Sequence, residues 1–323
     1  MLYFIIKHYK GNNVHFSEYL KSCRDHSNIT QEQLVHELYS YDIDNFEGLD
    51  TSTLSKWERS VTKPKISKQI SIIKYFQEKT GLALPYLDTY SVKEAEALIC
   101  TNGINNLIGT GKKKELILNF PSTIMHVDDM KVFPLRNSDR IEELLNINID
   151  IHESTNSKYA HVSIEQFKEW SLHPSNLFLA CEYKNWFMGL FFSIRLKPDV
   201  FDKILNFQMK KSDITMDDFA SFDEMGCNYL LSFYAINQKV ASMLFIRYYA
   251  HLISNQKNIV EIGLITSLNE VKKVIQNMNL HYHKNISTDD NVKIEAYREN
   301  LTNVLASENV IKMILSKQEC PEE

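Results

Sequence analysis

The chain has 323 residues, 44% of them hydrophobic and 24% charged, with a net charge of −5. That balance excludes a disordered or fibrous protein, and the length accommodates two domains of roughly 100–200 residues. Five scattered cysteines (Cys23, Cys100, Cys181, Cys227, Cys320), with no CxxC and no Cys/His pairing at metal spacing, imply reduced thiols in a cytoplasm and no metal site.

In chain order, the opening MLYFII meets Lys7 almost at once, too short a run to span a membrane and without a signal-peptide layout, so no membrane partner is expected. Phe16, Tyr19, Leu20 and Cys23 recur at helical spacing over 16–28. Thr30 followed by Gln33 is the Thr-x-x-Gln capping box that opens a helix over 29–41, with Leu34, Val35 and Leu38 on its apolar face. The polar stretch 42–48 breaks the period. Asp50 or Thr51 restarts it as an N-cap, with Leu54 and Trp57 inside, and 67–81 forms a further amphipathic helix with Ile70, Ile73 and Phe76 inward and Gly81 at its end. Between Lys56 and Lys79 stand seven cations (Lys56, Arg59, Lys63, Lys65, Lys68, Lys74, Lys79) against Glu58 and Glu78. Such clustering, more than the overall charge, is what a polyanion partner meets.

The segments LKSCRDHSNITQEQL and LDTSTLSKWERSVTKPK resemble the Cro/repressor-type (XRE family) helix-turn-helix over about residues 14–80. The shared pattern is an Arg in the first helix, Thr-Gln-x-x-Leu opening the second, hydroxyl residues opening the third, then Trp-Glu-Arg and a basic, proline-containing turn. The departure is YSYDIDNFEG, roughly nine residues longer than the turn by which the family joins its second and third helices. The resemblance implies a lambda-repressor-like domain reading duplex DNA. Helix-turn-helix docking puts Thr51, Ser52, Ser55 and Lys56 at base edges. Lys63, Lys65 and Lys68 would fall near phosphates, Arg59 belongs to the same DNA-binding set, and Thr30 and Gln31 would touch the backbone. Arg24 and Glu58 match the family's internal salt bridge, and Trp57 reads as core.

Residues 82–129 read as a connecting segment, with a helix at Val92–Cys100 and a hinge at GTGKKKELILNF, whose spacing is not that of a P-loop. From Met130 strands and helices mix: a strand and an Asp-capped helix (130–148), a helix (164–173), and two strands joined at Tyr183-Lys184-Asn185 (176–198). A strand (227–237), a helix (240–254), a strand (258–267), a helix (268–278), a strand (292–300) and a C-terminal helix (Leu301–Ser316) follow. The strands at 176–198 are too apolar for an exposed hairpin and belong to a covered sheet.

This order, with VFPLRNSDRIEELL, YLLSFYAINQKVASMLFIRYYAHL and EIGLITSLNEVKKVIQNMNLHYHKN, is similar to a GNAT acetyltransferase domain over about residues 130–300. The resemblance places a cofactor loop at Ile236, Gln238, Val240, Ala241 and Ser242. Its glycine pattern departs at Ala241 and Met243, where a long side chain meets the expected phosphate path, and the family's general-acid Tyr position holds Ile275. Tyr234 reads as core, and His281 and His283 as part of a polar turn.

The expected fold is therefore multi-domain: an all-α helix-turn-helix domain (1–81), a connecting segment (82–129), and an α/β GNAT-like domain with a central mixed sheet (130–323). The expected function is transcription regulation by a cytoplasmic, nucleoid-associated bacterial or phage homodimer that binds double-stranded DNA. In that reading the acetyltransferase-like domain is degenerate, has no catalytic residue and no bound cofactor, and serves dimerisation or the sensing of a small-molecule or protein effector. The alternative is an N-acetyltransferase using acetyl-CoA or another acyl-CoA, targeted by its DNA-binding domain.

Overall fold

A computed structural model describes residues 15–102, 129–154, 162–268, 271–287 and 292–315. The GTGKKKELILNF hinge lies outside them. The chain divides into two compact units: a sheet unit holding Ile108–Tyr248 and Asn258–Leu301, and a helical unit holding Leu2–Leu107, Tyr249–Lys257 and Thr302–Glu323.

In the helical unit, α1 (Phe16–His26) buries Phe16, Tyr19, Leu20 and Cys23. α2 (Gln31–Tyr41) begins at the capping box: the Thr30 hydroxyl accepts the Gln33 N–H at 3.2 Å, and the Gln33 side chain accepts the Thr30 N–H at 2.8 Å. Leu34 and Leu38 are fully buried, while Val35 is half-buried. The stretch expected to break the period carries a one-turn helix, α3 (Ile43–Phe46). Asp42 caps it through the Asn45 N–H, and Phe46 drives it into the core. α4 (Thr51–Glu58) is capped by Asp50, which accepts the Thr53 N–H at 2.6 Å. α5 (Ile66–Thr80) ends at Gly81 in a left-handed conformation (φ 70°), where its N–H reaches the Gln77 carbonyl. Its inward face is Ile72, Ile73 and Phe76, with Ile70 only half-buried. α6 runs Val92–Asn102.

The C-terminal region counts with this unit, whereas the sequence reading carried the second domain to 323. The Gln77 amide donates to the carbonyls of Ala83 (2.6 Å) and Thr302 (2.8 Å), and the Gln256 side chain brackets both backbone groups of Leu84. The single helix expected at Leu301–Ser316 is two among the described residues, Leu301–Leu305 and Glu308–Leu315. The second buries Val310, Ile311, Met313, Ile314 and Leu315, a face too apolar to stay in water.

The sheet unit contains the expected mixed α/β architecture. Its described strands are β1 (Met130–Pro134), β2 (Leu177–Tyr183), β3 (Trp186–Leu196), β4 (Gly226–Ala235), β5 (Ile259–Thr266), β6 (His281–Ser287) and β7 (Lys293–Asn300). They form one sheet in the order β1-β2-β3-β4-β5-β7-β6, antiparallel throughout except for the parallel pair β4 and β5. The β2–β3 hairpin turns on Lys184 and Asn185, both at positive φ (49° and 67°), as a two-residue primed turn requires. One sheet face, with Phe178, Leu190, Phe192 and Tyr229, packs on α7 (Ile141–Ser154), α8 (Ile164–Leu172) and α9 (Pro198–Leu205) in one apolar core. The opposite face meets α10 (Gln238–Ser254): Phe191 and Phe233 pack on Phe245 at ring distances of 5.5 and 5.0 Å. Among the described residues, α11 (Lys272–Asn277) is the last helix lying wholly within the unit.

In the sheet unit two elements differ from expectation. α9 was not anticipated, although its Pro at N1 and its alternation of Val200, Phe201, Ile204 and Leu205 encode it. The segment with His281 and His283 is strand β6 rather than a turn; its side chains are mostly exposed because it is an edge strand, so it lacks the apolar alternation by which strands are recognised. Among the described residues, no helix is long and apolar enough to cross a membrane.

Candidate functional sites

The sheet creates a cavity where β4 and β5 part. β4 pairs with β3 as far as Ala235, but the register steps over Leu231: Phe192 faces Ser232 while Ser193 faces Leu230. A β-bulge of this kind bends the strand and increases its twist. On its other edge β4 pairs with β5 only as far as Leu230, opposite Leu264. Beyond that point the strands separate around a cavity of about 120 Å³. Both sheet faces reach it through the gap. Phe191, Phe233 and Phe245 line it on the α10 side; Leu190, Ser232, Tyr234, Asn148 and Lys211 line it on the other, and Thr266, Ser267, Leu268, Val271, Val274 and Met278 close its end. Mostly apolar walls with a few convergent polar groups are the usual character of a small-molecule site.

Three of those polar groups carry chemical potential. The Lys211 ammonium lies 5.3 Å from the Tyr229 ring centroid. Loss of surrounding solvent pushes its pKa down to about 8, and no acidic residue stands among the described lining residues. Asn148 is 1% exposed, yet neither its amide nitrogen nor its oxygen has a hydrogen-bond partner, a costly state for a buried group. Tyr234, expected in the core, is half-buried on the cavity wall and stacks on Phe187 (6.1 Å, 7° between planes). Burial raises its pKa, so it stays a protonated phenol. Sequence reading passed over Asn148 and Lys211. A signal existed for Asn148: it shares a helical face with Leu144, Leu145 and Ile151, where a lone amide is out of place.

The residues expected to cradle a cofactor open α10. Asn237 caps that helix by accepting the Val240 N–H at 3.0 Å, and the Ser242 hydroxyl donates to the Gln238 carbonyl at 2.8 Å. Val240 and Ala241 are fully buried, Ile236 and Ser242 half-buried, and Gln238 exposed. Gly189 is needed beneath this turn: a Cβ there would come within 2.6 Å of the Tyr234 carbonyl oxygen and 2.9 Å of Val240. Met243, expected as an obstruction, is half-buried and does not line the cavity. Ile275 is buried and supplies no acid.

In the helical unit, Arg24 Nε donates to Glu58 at 2.6 Å, the internal bridge that the resemblance implied, and the Gln31 amide donates to the same carboxylate at 2.7 Å. Gln31 therefore helps to tie α4 to α1 and α2. The Thr30 hydroxyl is engaged in its cap. Thr51, Ser52 and Lys56 are exposed on α4, and Ser55 is half-buried; Leu54 and Trp57 face inward. Arg59 folds back on the Ser55 carbonyl (3.2 Å), Lys63 and Lys65 are exposed, and the Lys68 ammonium sits over the rings of Trp57 (5.8 Å) and Phe46 (5.9 Å).

No protein-family model matches the chain, and no curated protein matches it. Among solved structures it is similar to FeeM, an N-acyl amino acid synthase from uncultured soil microbes, at 7% identity and a TM-score of 0.37 over 54% of this chain and 91% of that one. An acetyltransferase from Streptococcus agalactiae is similar at 13% identity and a TM-score of 0.36, over 53% of this chain and 98% of its own. The yncA protein of Salmonella typhimurium, solved with its cofactor acetyl-CoA, is similar at 10% identity and a TM-score of 0.33, over 54% and 94%.

Proposed function

We propose that the sheet unit is an acyl-CoA-dependent N-acyltransferase, in place of a degenerate domain kept for dimerisation or sensing. The observation that carries this reading is the cavity between the parted strands β4 and β5, with titratable and amide groups on its wall. Past Leu230 the edge of β4 no longer has β5 as a neighbour, and an extended thioester arm can add there as a peptide adds to an open strand. The start of α10, with Gln238, Lys239 and the backbone through Ser242, is assigned to the phosphates, because a helix N-terminus favours anions. An acyl-CoA would supply a thioester whose carbonyl carbon bonds to an amine nitrogen as the C–S bond breaks, the amine losing a proton and the sulfur gaining one. Tyr234 is the residue we assign to deliver the proton to sulfur, since its phenol is protonated and on the wall.

The test is calorimetric titration with CoA and acetyl-CoA, followed by thiol release in the presence of amines. Tyr234→Phe is expected to lower kcat by about 100-fold with CoA affinity unchanged. Failure of the wild type to bind either ligand at millimolar concentration would sink the proposal.

A second reading concerns the helical unit, favoured by the Arg24–Glu58–Gln31 tie beneath an α4 that exposes Thr51, Ser52 and Lys56. We propose an XRE-type helix-turn-helix for this unit, docking on duplex DNA as a homodimer at the nucleoid, with Lys63 and Lys65 toward phosphates. Fluorescence anisotropy against promoter DNA tests it. Lys56→Ala should relax sequence discrimination, while Lys63→Ala should weaken all sequences alike and reduce the salt slope by about one. Equal binding to specific and random duplexes would refute it.

A further inference from the structure

The polar groups of the cavity are gathered on one side. Toward α10 its walls are the rings of Phe191, Phe233 and Phe245; on the opposite face stand Lys211, Asn148 and Tyr234. A cation with no acidic neighbour among the described lining residues, and a fully buried carboxamide bonded at neither end, are each unfavourable inside a protein. An anion in the cavity offsets the first. The second needs both an acceptor, for the Asn148 amide N–H groups, and a donor, for its carbonyl oxygen. A bare anion satisfies only the former, and a simple ammonium ion only the latter. A molecule that carries a carboxylate and an amine together satisfies both, and a cavity of about 120 Å³ requires it to be small.

We infer that the acyl acceptor is a small amine bearing a carboxylate, held by Lys211 and the Asn148 nitrogen at its carboxylate and by the Asn148 oxygen at its amine. This rests on the acyltransferase reading of the same cavity. It assigns Lys211 and Asn148 as specificity determinants that select the acceptor, leaving the acyl donor to the β4 edge and α10. The aromatic walls on the α10 side fit the acyl chain, which has no polar group to satisfy.

The experiment uses the full-length protein with the twenty common L-amino acids, their α-carboxamides, and n-butylamine as acceptors. Acylation is followed by thiol release from acetyl-CoA and octanoyl-CoA, and acceptor binding is measured separately, without CoA, by saturation-transfer NMR. At least one amino acid should exceed its carboxamide by about 100-fold in kcat/KM, since the amide cannot form the charge-assisted contact. Lys211→Gln should bring that pair within a few-fold, acting mainly on KM, and Lys211→Arg should restore part of the preference. Asn148→Leu, which keeps the volume, should lower acceptor binding, and all three variants should bind CoA as the wild type does. Equal use of acid and carboxamide, a Lys211→Gln loss that falls equally on both, or acylation of n-butylamine but of no amino acid would overturn the inference. Should the wild type fail to bind CoA, the acyltransferase reading fails. NMR binding then decides the carboxylate site by itself: Lys211-dependent preference for the acid upholds it, and absence of that preference overturns it.

Discussion

In the helical unit the candidate surface is one continuous stretch, Thr51 to Lys68, held from beneath by three side chains, Arg24, Gln31 and Glu58. The cavity of the sheet unit draws instead on α7, the loop at Lys211, strands β3 to β5, α10 and the segment ending at Met278. The first site needs helix caps and one ion pair to hold; the second needs two strands to stay parted. The difference teaches where each should be fragile. A surface built on one helix fails when the helix loses its tie, and a cleft built between strands fails when the backbone around the bulge is displaced.

The largest expected effect tests that first weakness. Glu58→Ala leaves the Arg24 guanidinium and the Gln31 amide facing a vacated site, and with the Glu58 side chain only 4% exposed the cost should be about 3 kcal/mol. Chemical denaturation and hydrogen exchange should show the loss in α1, α2 and α4, with CoA affinity retained; unchanged exchange in α4 would break the comparison. Next, Gly189→Ala forces a methyl group to within 2.6 Å of the Tyr234 carbonyl, an overpacking cost of about 1–3 kcal/mol. CoA titration should weaken while DNA affinity stays as it was; loss of both would show that the two sites are not separately breakable. The smallest effect is a pH dependence. Lys211 is charged below its pKa of about 8 and neutral above it. Binding of a carboxylate-bearing amine, corrected for ionisation of its own amine, should therefore be flat below that value and weaken by up to about tenfold per pH unit above it. Tyr234, the other titratable group on the described wall, is held protonated and should not contribute. Lys211→Arg should abolish the fall; an unchanged profile would show that Lys211 does not hold the carboxylate.

Much of the helical unit was legible because its signals are local. The Thr30–Gln33 box, the Asp50 cap and the left-handed Gly81 are read from residues three or four apart, and each is present. α3 escaped because its one buried residue, Phe46, lies in a polar stretch, and a single turn has no period to detect. In the sheet unit the apolar strands and the β2–β3 turn were plain, while β6 escaped as an exposed edge. The cofactor loop departs from the glycine pattern at Ala241 and Met243, and Met243 does not line the cavity.

By itself, then, the sequence determined the two kinds of unit, most of their elements, and the Arg24–Glu58 tie, because capping, periodicity and charge act between near neighbours or follow a recognised pattern. Only the tertiary structure decided that Leu231 bulges, that β4 and β5 part at Leu230, and that Asn148, Lys211 and Tyr234, spread over 87 residues of chain, line one cavity. Strand register and the meeting of distant side chains depend on how whole elements pack, and no local window of sequence contains that information.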